Sequence, residues 1–131
     1  MTGMRAVFAF FLVVAAAGAS GYETERARAY FAQELAECGA WFSLVAESPG
    51  LDVATKIKFR AAGTSLVSSS ADLTSEEWAM ARMGEASKAI RKAMDNSWRN
   101  FSVVDKQYGQ RCRDVATNPR ARRQYWLDKR D

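Results

Sequence analysis

Two side chains in this 131-residue sequence can join covalently, Cys38 and Cys112. Neither lies in a C-x-x-C pattern, and with no histidine in the chain a zinc site lacks its usual ligands. The same absence removes the Ser-His-Asp arrangement and the side chain that most often moves protons near neutral pH. The stretch "GTSLV" at 63 to 67 is not a G-x-S-x-G elbow, and no G-x-x-x-x-G-K-S/T phosphate loop occurs. Glu76 and Glu77 are adjacent, so on a helix their carboxylates point about 100° apart instead of converging. They suit the positive end of a helix dipole better than a reaction. The pattern reads as a protein without catalysis, metal or cofactor, whose covalent chemistry is one disulfide.

Whether the cysteines pair depends on compartment. Arg5 precedes an uncharged apolar run from Ala6 to Ala17, followed by small residues, which is the order of a secretory signal peptide. Ala17 and Ala19 frame an A-x-A site, and Ala15 with Ala17 a second. Cleavage before Ser20 divides the chain into a signal peptide, 1–19, and one domain, 20–131, in the periplasm or outside the cell. The alternative is a retained membrane anchor, although the apolar run is shorter than the roughly 20 residues that cross a bilayer. In an oxidising compartment Cys38 and Cys112 form a disulfide, the alternative being two buried thiols. Closing so long a loop stabilises a small domain by about 4 kcal/mol on chain-entropy grounds.

The elements that must position these groups are helices. Proline occurs only twice. Phe31, Leu35, Cys38, Phe42 and Val45 recur at helical spacing, as do Met83, Ala86, Ile90 and Met94, and again Phe101, Val104, Tyr108, Cys112 and Val115. The fold class is therefore all-α: a small bundle of about four helices, up-down-up-down, with a short C-terminal helix. The first helix is expected from near Glu23 to Glu47. Ser48-Pro49 reads as the cap and first turn of a second through Val53, Ile57 and Ala61. Gly63 and the serines at 68 to 70 weaken that helix. Thr74 with Glu77 reads as a capping box opening a third.

An unbroken helix from 75 to 116 would reach about 63 Å, too long for a domain with a radius of gyration near 13 Å. The break is expected at "MDNSWRNFS", where Asp95, Asn96, Ser97, Asn100 and Ser102 compete for local backbone bonds. In an up-down-up-down bundle that break also sets Cys38 and Cys112 at heights about 1.5 Å apart, as a disulfide needs. Trp98, in the same turn, either caps the bundle or marks an interface. Asn100-Phe101-Ser102 matches the glycosylation sequon, a pattern common by chance.

Asn118 and Pro119 open the tail helix, which is expected to turn back so that Tyr125, Trp126 and Leu127 cover the bundle's end. From Arg111 onward Arg111, Arg113, Arg120, Arg122, Arg123, Lys129 and Arg130 outnumber Asp114, Asp128 and Asp131. Residues 23 to 47 are biased the other way. The arginines are either a solvated face or a docking site, with Arg120, Arg122, Arg123 and Trp126 as the candidate residues. Partners of matching chemistry are an acidic envelope protein, an anionic polysaccharide or an anionic lipid surface. Nucleic acid is not expected of an exported chain with a net charge of +4.

The segment "FSVVDKQYGQRCRDVATNPRARRQYW", with "ELAECGAWF" before it, resembles a class of short exported, mostly α-helical proteins of proteobacteria. These have two separated cysteines and a P-x-x-R-x-x-x-W-like tail. The resemblance implies a periplasmic setting and a helical fold, and it assigns no functional residue. Residues 50 to 100 lie outside it.

Overall fold

The computed structural model describes the backbone of residues 3–129 and the side chains of residues 24–129. The segment read as a signal peptide lies outside the described side chains. Helices account for the fold: α1 (Gly3–Val45), α2 (Val53–Leu73), α3 (Glu76–Ala93), α4 (Phe101–Val104), α5 (Gln110–Thr117) and α6 (Pro119–Asp128). A 3-10 turn, Trp98–Asn100, leads into α4, and a π turn, Asp105–Gly109, joins α4 to α5 in one rod. The all-α bundle with a short C-terminal helix is thus as expected.

The helix α1 is the axis. Its backbone is helical from Gly3, well before the expected start at Glu23, but its buried side chains begin at Ala27. From Phe31 to Ala46 the burial runs round the helix instead of along one stripe, taking in Ala32, Ala36 and Ala40 beside Leu35, Cys38, Trp41 and Phe42. A helix apolar all round is one enclosed by others. Here α2, α3, α5 and α6 all pack on it. The alanines matter as much as the large side chains, because they let neighbours approach on the faces the apolar stripe does not cover.

Helix α2 runs antiparallel to α1 in close contact. A Cβ on Gly63 would stand 2.9 Å from the Gly39 carbonyl oxygen and 2.6 Å from Ser43 Oγ, and one on Gly39 would overlap Val67 Cγ2. Ser70 Oγ, fully buried, donates to the Ala32 carbonyl at 2.7 Å. Gly63 and Ser70, which look like weaknesses in the sequence, are the contact surface. The helix begins later than expected: Asp52, not Ser48, is its cap, accepting from Thr55 N at 2.7 Å. Pro49-Gly50 lies in the preceding turn, where Gly50 takes a φ of 85°. The face turned to α1 is not the one the sequence marks by its apolar steps. Leu66 and Val67 are buried with Gly63 and Ser70, whereas Val53, Ile57 and Ala61 face outward.

The third helix opens one residue later than the expected capping box. Ser75 caps it, accepting from Trp78 N at 3.1 Å, while Thr74 closes α2 by donating its hydroxyl to Ser70 O at 2.8 Å. Ala86, Ile90 and Met94 are buried as the spacing predicts. The break falls where the polar cluster put it. Asp95 and Asn96 take φ values of 52° and 51°, the left-handed conformation that Asx residues tolerate, and Ser97 caps the 3-10 turn. Trp98 packs against the core beside Phe101, with ring centroids 5.7 Å apart.

Returning along α1, the fourth rod buries Val104, Cys112 and Val115. Cys38 and Cys112 are bonded, with Cα atoms 5.1 Å apart and both side chains fully buried. The bond fits an oxidising compartment. Among the described residues no helix is long and apolar enough to cross a membrane.

Candidate docking face of the tail

The tail helix starts as its sequence predicts. Asn118 Oδ1 accepts from Ala121 N at 3.2 Å, and Pro119 occupies the first turn, where its missing N–H costs nothing. Its course differs from the expectation. Arg122 meets Glu34, Trp126 meets Tyr30, and the Arg26 guanidinium reaches the Lys129 carbonyl. As residue numbers rise along α6 they fall along α1, the same sense as the pairs Trp41–Tyr108 and Cys38–Cys112 of the preceding rod. The tail does not turn back over the bundle's end. It continues along α1 and covers a stretch of that helix which α5 is too short to reach.

Glu34 is the centre of this seam. It is 2% exposed, and its two carboxylate oxygens accept from Arg122 through Nε and, at 2.7 Å, through Nη2. Trp126 Nε1 donates to the same carboxylate at 3.2 Å, and Arg111 Nη1 stands 3.8 Å away. A buried carboxylate persists only when paired and hydrogen-bonded, and the planar Arg fork meets that need at two atoms. Arg111 also pairs with Glu37 at 3.3 Å and lies over the Tyr108 ring. The acidic bias of the first helix and the basic bias of the tail therefore meet within the fold.

Aromatic rings close the seam. Trp126 stacks on Tyr30 with centroids 5.1 Å apart, Tyr125 meets the Trp126 edge, and the Arg122 guanidinium lies 4.0 Å from the Tyr125 centroid. The hydrogen bonds to Glu34 raise the Arg122 pKa above its ordinary value, so the guanidinium stays charged. Burial raises the Tyr108 hydroxyl, helped by the Glu37 charge and opposed by Arg111.

The four tail residues singled out from the sequence thus separate. Arg122 and Trp126 are turned inward and occupied by Glu34 and Tyr30. Arg120 and Arg123 are exposed, one helical turn apart on the outer side of α6. Cys38 and Cys112 serve the core. Sequence reasoning missed Glu34, Glu37, Tyr30 and Arg111 as a group, because nothing in spacing tells which carboxylate of an acidic helix will be buried.

Elsewhere an open groove of about 670 Å3 lies between α2 and α3, lined by Ser43, Thr64, Asp72, Glu76, Met80 and Met83 among others. It contains neither cysteine and none of Arg120, Arg122, Arg123 and Trp126. Among the described residues no cluster of His, Cys, Asp or Glu could hold a metal ion. The chain matches no family model, no curated protein and no solved structure.

Proposed function

We propose that this protein is a non-enzymatic helical interaction module of the periplasm or extracellular space, exported by a cleaved signal peptide, which binds an acidic partner through Arg120 and Arg123. The observation that carries this reading is the latch beneath them. Because Arg122 and Trp126 are held by Glu34 and Tyr30, α6 is fixed on the bundle and its two outward arginines stand on a rigid support. A charge pair already ordered loses less entropy on binding than one on a loose tail. An acidic envelope protein or an anionic polysaccharide has the matching chemistry. The reading in which the tail holds the protein on an anionic membrane draws on the same two arginines, but Trp126, the natural interfacial anchor, is already stacked.

The test uses Arg120→Glu with Arg123→Glu, leaving Arg122 in place. The double variant should keep the wild-type melting temperature, elute from an immobilised anionic polysaccharide such as heparin at lower salt, and lose any partner cross-linked to α6 in envelope extracts. Unchanged retention and cross-linking would remove the site. Intact mass of the exported protein, before and after reduction and alkylation, should begin at Ser20 and show both thiols protected until reduction.

A further inference from the structure

Helix α2 uses its apolar residues in an unexpected way. Against α1 it sets Gly63 and Ser70 beside Leu66 and Val67, while Val53 is left 72% exposed and Ile57 58% exposed. Val53, Ile57 and Ala61 follow at four-residue steps, so they form one outward ridge along the first half of the helix. Lys56, Lys58 and Arg60 interleave with it, Lys58 flanking the ridge on one side and Lys56 and Arg60 on the other. None of the three has an ion pair among the described residues. No acid lies between Asp52 and Asp72, and the Asp52 carboxylate is engaged in capping Thr55 N. The same end of the bundle also exposes Lys92 and Arg99, together with Asp95 and with Glu47, which Arg91 pairs at 2.7 Å.

We propose that the first half of α2 is a docking surface for anionic lipid, with Val53 and Ile57 entering the headgroup boundary and Lys56, Lys58 and Arg60 meeting the phosphates. An exposed aliphatic ridge flanked by unpaired cations is suited to an anionic membrane surface. Long cationic side chains on both flanks can keep their charge at the phosphates while their stems lie along the apolar boundary. A protein interface would call for a different composition, since interface centres are enriched in aromatic residues and depleted in lysine. The surface is independent of the tail, because Arg120 and Arg123 belong to a different helix. Two inserted side chains and three charges make attachment reversible and sensitive to salt.

Flotation with phosphatidylcholine vesicles, plain or containing about one-third phosphatidylglycerol, tests this at about 0.05 M and about 0.5 M salt. The readout is the gain in binding from plain to anionic vesicles, measured on the exported protein that begins at Ser20. Wild type should show a gain that salt removes. Lys56→Gln, Lys58→Gln and Arg60→Gln together should reduce it about a hundredfold. Val53→Ser with Ile57→Ser should reduce it about tenfold with all charges kept. Arg120→Gln with Arg123→Gln should leave it unchanged. These are surface positions, and circular dichroism with the intact disulfide verifies folding. No gain on anionic vesicles, a gain indifferent to both α2 variants, or a gain lost only with the tail variant would overturn the proposal. The first of these results would point to a protein partner, and the last would return lipid binding to the tail.

Discussion

At the scale of single residues, Glu34 holds the most consequential position, because one carboxylate with almost no contact with water accepts from two Arg122 nitrogens and one indole. Glu34→Ala leaves Arg122 and Trp126 with unmatched donors and should cost about 3 kcal/mol. Glu34→Gln should cost less, because its amide oxygen still accepts. The urea midpoint checks both, and an unchanged midpoint in the alanine variant would show that solvent replaces the carboxylate without penalty. Tyr108 carries the pH prediction. Its folded pKa lies above the ordinary 10.0, so the neutral phenol is favoured in the fold. The associated stability is complete below about pH 10 and declines as pH rises from there through the folded value. Thermal melts should therefore fall above about pH 10, and Tyr108→Phe should remove part of that fall. Arg122, whose pKa its hydrogen bonds to Glu34 raise further above the ordinary guanidinium value, adds no pH dependence in the ordinary range.

Among elements, the α1–α2 crossing shows how a helix can be weak in propensity and strong in packing. Gly63→Ala gains helix propensity, but its new methyl would press on the Gly39 carbonyl. The net should be destabilisation of about 1–3 kcal/mol. Gly84, in the interior of α3, has nothing within 4 Å of where its Cβ would stand. Gly84→Ala should therefore stabilise by up to about 1 kcal/mol. Opposite signs in paired denaturation curves would confirm that the first glycine is kept for contact and the second is not. The π turn belongs to this scale too. It ends at buried Gly109, where a Cβ would overlap the Asp105 carboxylate, directly before the turn that carries Cys112. The apolar spacing from Phe101 to Val115 shows the face but not the extra residue in the turn, because a stripe of threes and fours tolerates either helical pitch.

For the molecule as a whole, the disulfide ties the C-terminal part of the axial helix to the fourth rod, across 74 positions of sequence. Its reduction should lower stability by about 4 kcal/mol, measured as the difference in unfolding free energy between oxidised and alkylated protein. Both sulfurs are fully buried, so reduction under native conditions should proceed at the rate at which the core opens. Rapid reduction without unfolding would show that the α1–α5 seam opens locally. The latch of α6 on Glu34 then makes the tail part of the cooperative unit, and its outward arginines move only with the bundle.

The helical class, the break at Asp95 and Asn96, the opening of α6 at Asn118-Pro119 and the partner each cysteine takes once oxidised are all legible in the sequence. All rest on short-range chemistry or on a choice with one answer: helical periodicity, residues that compete for backbone bonds, a cap beside a proline, two thiols and no third. Tertiary structure decided which face of α2 is inside, that α6 continues along α1, and that Arg122 and Trp126 belong to Glu34 while Arg120 and Arg123 do not. The apolar steps Val53, Ile57 and Ala61 mark α2 in the sequence without telling which way they face, because periodicity reports a face and not its direction. The direction was set by Gly39, Gly63 and Ser70, small residues whose value lies in how closely two backbones can approach, a quantity that exists only between helices.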